Sequence, residues 1–218
     1  GVGLVGSEMC IRDSIKKEPS IDCNMLDEAI SRLELAERPI IYSGGGVINS
    51  GQSAVNSLRN LVAGTNFPIT STLMGLGSYP ASGKNWLGML GMHGTYEANM
   101  SMHDCDFMLC IGARFDDRIT GRIDAFSPNS YKVHLDIDPS SINNNITVDA
   151  PLIGDVSQIL SVLITRWKER GSKVNKKKLS AWWKSINDWK EVKSLGFENS
   201  SSVIKPQYAC LLYTSPSP

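Results

Sequence analysis

The sequence predicts a doubly wound α/β domain, Rossmann-like, with a parallel sheet covered by helices on both faces. Two observations carry this. Short apolar runs of strand length, Phe107 to Ile111 above all, lack polar alternation, as expected of strands buried on both faces. These runs alternate with segments of helical period, the pattern of successive βαβ units. Such sheets bind ligands beyond the carboxyl ends of their strands, so the turns that follow the strands are where chemistry is sought.

The elements follow in order. Leu26, Ala29, Ile30 and Leu33 recur at i, i+3, i+4 and i+7, the mark of an amphipathic helix. It is expected to end near Glu37-Arg38, because Pro39 disfavours helix in the residue before it. Pro39 to Ser43 reads as a buried strand, followed by Gly44-Gly45-Gly46 and a helix from about 52 to 62. Phe67 to Thr70 reads as a second strand. The glycine-rich stretch from Met74 to Gly94 shows little regular pattern, and 95–102 can form a helix. After the run at 107–111, Tyr131 to Ile137 is another strand, 139–145 a short helix, and Pro151 to Ile153 a last strand. Asp155 can cap a helix whose Val156, Ile159, Leu160, Leu163 and Trp167 share one face.

Composition bounds the function. Hydrophobic residues make up 41% and charged residues 20%, ordinary for a globular protein. Lys plus Arg and Asp plus Glu number 22 each. The zero net charge supplies no field that would draw nucleic acid or an anionic membrane to the whole surface. No run of 18 apolar residues exists, so no membrane-spanning helix is expected. The five cysteines form no C-x-x-C pair, and an odd count suits a reduced intracellular compartment.

Residues 1–14 and 210–218 show no helical or strand period. Both are expected to be translated adapter read-through rather than natural termini. The domain is therefore expected to occupy 15–170. Residues 171–209 are expected to be a linker: the lysines at 173 and 176–178 give a solvated face, and Trp182, Trp183 and Trp189, at helical spacing, are expected to pack against a neighbouring domain.

Four segments could carry chemistry. Gly44 to Gly46, between a strand and a helix, lets backbone approach a ligand closely and offers helix N-terminal amides for phosphate. The third glycine of a G-x-G-x-x-G fingerprint is absent, since Asn49 stands in its place. Glycines recur among apolar residues from Leu87 to Thr95, which suits a loop with methionines on the faces of a flat cofactor and free amides toward its heteroatoms. Ile111 to Gly121 places two arginines and two aspartates within five residues, 114–118. Arginine's fork suits phosphate, and neighbouring carboxylates orient it or accept from ribose hydroxyls. A surface ion-pair cluster is the alternative. Asp136, at a strand end, is placed to accept from a ribose. No P-loop, G-x-S-x-G elbow or metal-ligand cluster occurs.

Together these segments resemble the central domain of the acetolactate (acetohydroxyacid) synthase family. The residues that carry the likeness are Arg38-Pro39 through Gly46, Thr72-Leu73-Met74-Gly75, Leu90-Gly91-Met92-His93-Gly94, Gly112-Ala113-Arg114-Phe115-Asp116-Asp117-Arg118 and Leu135-Asp136-Ile137-Asp138-Pro139. Ile204 to Tyr208 resembles the approach to that family's C-terminal domain. Pyruvate oxidase and glyoxylate carboligase would differ at the two specific loops, 91–94 and 112–118. A stand-alone nucleotide-binding module without catalysis is the rival from another class.

The resemblance implies a reaction that joins two pyruvates, or pyruvate and 2-oxobutyrate, with loss of carbon dioxide, in branched-chain amino-acid synthesis. It implies thiamine diphosphate and Mg2+ in domains that flank this one, with the catalytic glutamate and the metal motif there, so no catalytic residue is expected here. It implies FAD across this domain, without net redox. The implied FAD contacts are Gly44, Gly45, Gly46, Thr72, Leu73, Met74, Leu90, Gly91, Met92, His93, Gly94, Gly112, Arg114, Asp116, Arg118, Asp136, Ile137, Asp155 and Val156. Met92, Asp117 and Arg118 also fall where the family forms its channel to the active site. A homodimer or higher oligomer with a small regulatory subunit is implied, in bacterial cytoplasm or a eukaryotic organelle.

Overall fold

A computed structural model of the chain describes residues 21–214. Six strands form one parallel sheet: β1 (Pro39–Ser43), β2 (Ile69–Ser71), β3 (Trp86–Met89), β4 (Phe107–Ile111), β5 (Tyr131–Asp136) and β6 (Ala150–Ile153), in the order β3-β2-β1-β4-β5-β6. The chain builds outward from β1 in one direction, then returns and builds outward in the other. That reversal, between β1 and β4, is the topological switch point of a Rossmann-like sheet. Every residue of β1 and β4 is buried, which is why β4 is an unbroken apolar run and β1 is apolar up to Ser43, whose hydroxyl is satisfied inside by Ser78.

The described helices are α1 (Cys23–Leu35), α2 (Gly45–Asn49), α3 (Gln52–Thr65), α4 (Tyr96–Asp104), α5 (Asp117–Thr120), α6 (Val156–Glu169), α7 (Lys176–Lys190) and α8 (Pro206–Thr214). One group, α1, α3 and α6, packs together, and α4 packs against α7. No described helix is long and apolar enough to cross a membrane. The predicted faces are the buried ones: Leu26, Ala29, Ile30 and Leu33 on α1, and Val156, Ile159, Leu160 and Leu163 on α6. Asp155 caps α6 as expected, accepting from the amides of Ser157 and Gln158. Helix α1 stops at Leu35, earlier than expected. The Glu37 and Arg38 amides instead donate to the Asp106 carboxylate, each at 2.8 Å, which fixes the start of β1 beside the start of β4.

Other expectations are corrected. The stretch from Met74 to Gly94 contains β3, hidden by Gly88, whose φ of +92° marks a register shift against β2. A bulge breaks the period on which strand recognition rests. The short helix expected over 139–145 is a single 3-10 turn at Pro139–Ser141, opened by Asp138, which accepts from the Ser140 amide. Residues 210–214, expected to be patternless, continue α8, none of whose side chains is buried. Residues 1–14 and 215–218 lie outside the described residues.

The tryptophans of 182–189 do not await a neighbouring domain. Trp182 is 3% exposed, its Nε1 donates to the Pro39 carbonyl at 3.1 Å, and it meets Trp189 edge-on at 5.5 Å. The Trp183 Nε1 donates to the Asn66 carbonyl. Helix α7 is thus packed on this domain, with Leu179, Trp182 and Ile186 buried.

Candidate functional site

The turns after β1, β2, β4 and β5 converge on a cleft of about 660 Å3 at the switch point. Its floor is main chain. Gly44 N donates to Ile111 O, Gly46 N to Gly112 O, and Thr72 N to Ser43 O. A Cβ on Gly46 would lie 2.6 Å from Gly112 Cα, so the two turns touch backbone to backbone. The β2 turn is held in the same way: Gly75 N donates to Thr72 Oγ1, and Ser78 Oγ bridges Ser43 Oγ and Gly75 O.

After β4, alternate residues face in and out. Gly112, with φ +57°, turns the chain and donates to Leu135 O. Ala113 and Phe115 are buried, 3% and 4% exposed. Arg114 and Asp116 point outward as an exposed ion pair at 3.1 Å. Arg118 reaches Asp117 at 3.8 Å, both exposed. Exposed ion pairs of this kind contribute little stability, so both guanidiniums are available to an anion.

The remaining side chains sort clearly. Thr72, Leu73, Met74, Asp136 and Ile137 line the cleft with Gly45, Gly46, Gly112 and the two arginines, while Gly44 lies behind it. Leu73, Met74 and Ile137 are large apolar side chains left exposed on its walls. Asp136 is mostly buried; its Oδ1 accepts the Asp138 amide at 2.9 Å and its Oδ2 lies 3.8 Å from His134 Nε2. Ile48, Asn49 and Ser141 also line the cleft, none of them a site residue by sequence pattern. The residues from Val47 to Gly51 read as a loop, whereas α2 turns Ile48 outward.

The loop 90–94 differs from expectation. Four of its five amides are engaged: Leu90 N to Ser71 O, Gly91 N to the Asn99 side chain, Met92 N to Arg118 O, and Gly94 N to Gly91 O. Leu90 is buried, while Met92 and His93 are exposed. Residues 90–94 do not line the cleft; through Met92 N on Arg118 O the loop braces the Arg118 loop from behind. The amides after Gly44 are likewise largely engaged, Gly46 N with Gly112 O and Val47 N with Gly44 O. Asp155 and Val156 stand apart from the cleft walls, one capping α6 and the other 2% exposed. A larger hollow of about 940 Å3 lies between the end of α3 and the start of α7, at the opposite end of the strands. It brings no buried charged group to a common point.

His134 lies beneath the arginine loop, fully buried. Its Nε2 is 2.9 Å from Ala113 O. Burial pushes the imidazole pKa below its ordinary 6.5, against the Asp136 carboxylate and the Ala113 carbonyl, which raise it. The unfolded chain therefore takes up this proton first as pH falls. The stability that His134 contributes is present above pH 6.5 and declines below it toward the lowered folded value. Urea unfolding from pH 7.5 down to 5 should show this decline, with a shallower slope in His134→Gln; equal slopes would remove His134 as its source.

The sequence profile of the thiamine pyrophosphate enzyme central domain matches residues 26–163. The chain belongs to this family of central domains of thiamine pyrophosphate enzymes. It is 44% identical over 182 residues to the acetolactate synthase large subunit of Haemophilus influenzae, covering 84% of this chain and 31% of that protein. It is 39% identical over 182 residues to the acetolactate synthase isozyme 3 large subunit of Escherichia coli, with the same coverage. The probable chloroplastic acetolactate synthase 2 of Oryza sativa subsp. japonica is 39% identical over 188 residues, 85% of this chain and 28% of that protein. The chain thus spans about a third of the length of these relatives.

Proposed function

We propose that this chain is the FAD-binding middle domain of an acetolactate synthase large subunit, and that the full-length gene product condenses two pyruvates, or pyruvate and 2-oxobutyrate, with decarboxylation. The observation that carries the cofactor reading is the switch-point cleft itself: a floor of glycine main chain in which a Cβ on Gly46 or Gly112 would strike the facing turn at 2.6 Å, two exposed arginines over it, and exposed apolar side chains on its walls. This fits a dinucleotide. Arg114 and Arg118 offer paired donors for a diphosphate. Asp136 offers a carboxylate oxygen to a ribose, and Leu73, Met74 and Ile137 offer apolar surface to flat rings. Gly45 and Gly46 let those groups lie against the backbone.

In this reading the chain binds and orients, and FAD supplies a bound framework without net redox. Thiamine diphosphate and Mg2+ are held by flanking domains. The same likeness supports a homodimer or larger assembly with a small regulatory subunit, in bacterial cytoplasm or a eukaryotic organelle.

The visible spectrum of the purified full-length gene product tests this. A flavin band, or uptake of added FAD, is expected; a colourless protein that ignores added FAD would overturn the reading. Arg114→Ala should weaken FAD retention about tenfold or more, since a hydrogen bond between charged groups contributes about 1.5–3 kcal/mol. Unchanged retention would leave the arginine loop a structural ion-pair cluster.

A further inference from the structure

We infer that His134 is a positioning residue for the arginine loop: by donating from Nε2 to the Ala113 carbonyl, it sets the direction in which Arg114 and Asp116 leave the sheet, and through them the affinity for FAD. This rests on the FAD reading above.

The geometry is a row of side chains across three strands. Tyr42 of β1 registers with Cys110 of β4, and Cys110 registers with His134 of β5. All three are 0% exposed. Residues in register on neighbouring parallel strands share a face of the sheet, so the row lies under the turn that follows β4. The positive φ of Gly112 folds that turn back, and the Ala113 carbonyl points down into the row. It accepts from Cys110 Sγ at 3.1 Å and from His134 Nε2 at 2.9 Å. The next inward residue, Phe115, sets its ring edge-on to His134 at 5.1 Å, with Tyr42 at 6.0 Å and Phe126 at 5.8 Å around it. The Phe115 carbonyl accepts from the Asn145 side chain at 2.7 Å. Residues 113 and 115 are thus pinned inward, and 114 and 116 are directed outward.

The protonation of His134 follows from its partner. A carbonyl only accepts, so Nε2 carries the proton. In the neutral imidazole, Nδ1 is then a bare acceptor, and it has no donor among the described residues. A buried polar atom without a partner is costly. An apolar ring would fill the same space without that cost, so what histidine adds here is the Nε2–H donor. The charged group closest to it is the Asp136 carboxylate, 3.8 Å from Nε2 on its own strand. The other members of the row, Cys110 and Tyr42, are held neutral by burial, which pushes both their pKa values up.

The test compares His134→Phe, which keeps a ring and removes the donor, with His134→Gln, whose amide nitrogen reaches about where Nε2 sits. In the full-length gene product, His134→Phe should weaken FAD binding roughly three- to tenfold, and His134→Gln should stay within about twofold of the original. In the flavin-free protein, hydrogen exchange of the amides from 112 to 116 should quicken in His134→Phe and not in His134→Gln. Unaltered FAD affinity in His134→Phe overturns the inference. So does equal loss in both variants, which would make the role one of shape. If His134→Phe does not fold, Cys110→Ala removes the second donor to the same carbonyl and should quicken exchange at 112–116; unchanged exchange there overturns the inference. Failure of the unaltered protein to bind FAD would fell the cofactor reading, and the exchange comparison would still judge the anchor by itself.

Discussion

Gly44→Ala is expected to cost about 3 kcal/mol or more and to leave the protein without flavin. The cause is not backbone strain, since Gly44 has ordinary extended angles, φ −118° and ψ −173°. It is contact. A Cβ there would fall onto Gly112 O and within 2.5 Å of Ala113 Cα. Both are main-chain atoms on the other side of the switch point, themselves bound to the sheet through Gly112 N and Leu135 O. Neither turn can yield without losing the bonds that close the cleft floor. Gly64 gives the opposite expectation. It lies on the exposed side of the last turn of α3, and a Cβ there meets nothing within 4 Å. Gly64→Ala should therefore stabilise by up to about 1 kcal/mol, the helix penalty of glycine. Urea midpoints and flavin content of the two variants measure both. Folding and flavin retention unharmed by Gly44→Ala would show that the turns separate readily, and the rigid-floor account would fail.

Trp182→Ala should cost about 3–5 kcal/mol, the usual loss for a buried tryptophan. It removes the packing of α7 on the core and the edge-on partner of Trp189, and it strips the Pro39 carbonyl of its donor. Trp182→Phe should retain most of the packing and lose about 1–3 kcal/mol through that carbonyl. A change of only a few tenths of a kcal/mol in Trp182→Ala would mean that 176–190 is a loose appendage. A large loss would place the domain boundary after α7 rather than at 170.

The strands at the centre of the sheet are legible because burial on both faces leaves an apolar run without polar alternation, as at 39–42 and 107–111. The capped helices were legible for a similarly local reason: Asp155 and the stripe from Val156 to Leu163 state their own structure. What escaped depends on partners distant in sequence. Helix α2 begins Gly-Gly, a poor helix former, and is held by Gly46 N on Gly112 O and by buried Val47. Strand β3 carries Gly88 at a bulge, stabilised by Thr70 Oγ1 on the Gly88 carbonyl. At the site, the arginine loop and the glycine turns could be read from residue type. Ile48 and Asn49 could not, because nothing local shows that α2 exists. The engagement of the Leu90, Gly91 and Met92 amides is not legible locally, because their acceptors, Ser71, Asn99 and Arg118, come from three other segments.

The bonds that close the cleft floor join main chain to main chain: Gly44 to Ile111, Gly46 to Gly112, Thr72 to Ser43. No outward side chain takes part. Chassis and fittings are therefore separable. Arg114, Ile137 and Met74 can be exchanged for other residues while the platform beneath them keeps its shape, provided that the glycines and the downward Ala113 carbonyl stay in place. A scaffold of that kind can be refitted for a different ligand by changing a few exposed positions, and its tolerance for such refitting is written in the backbone.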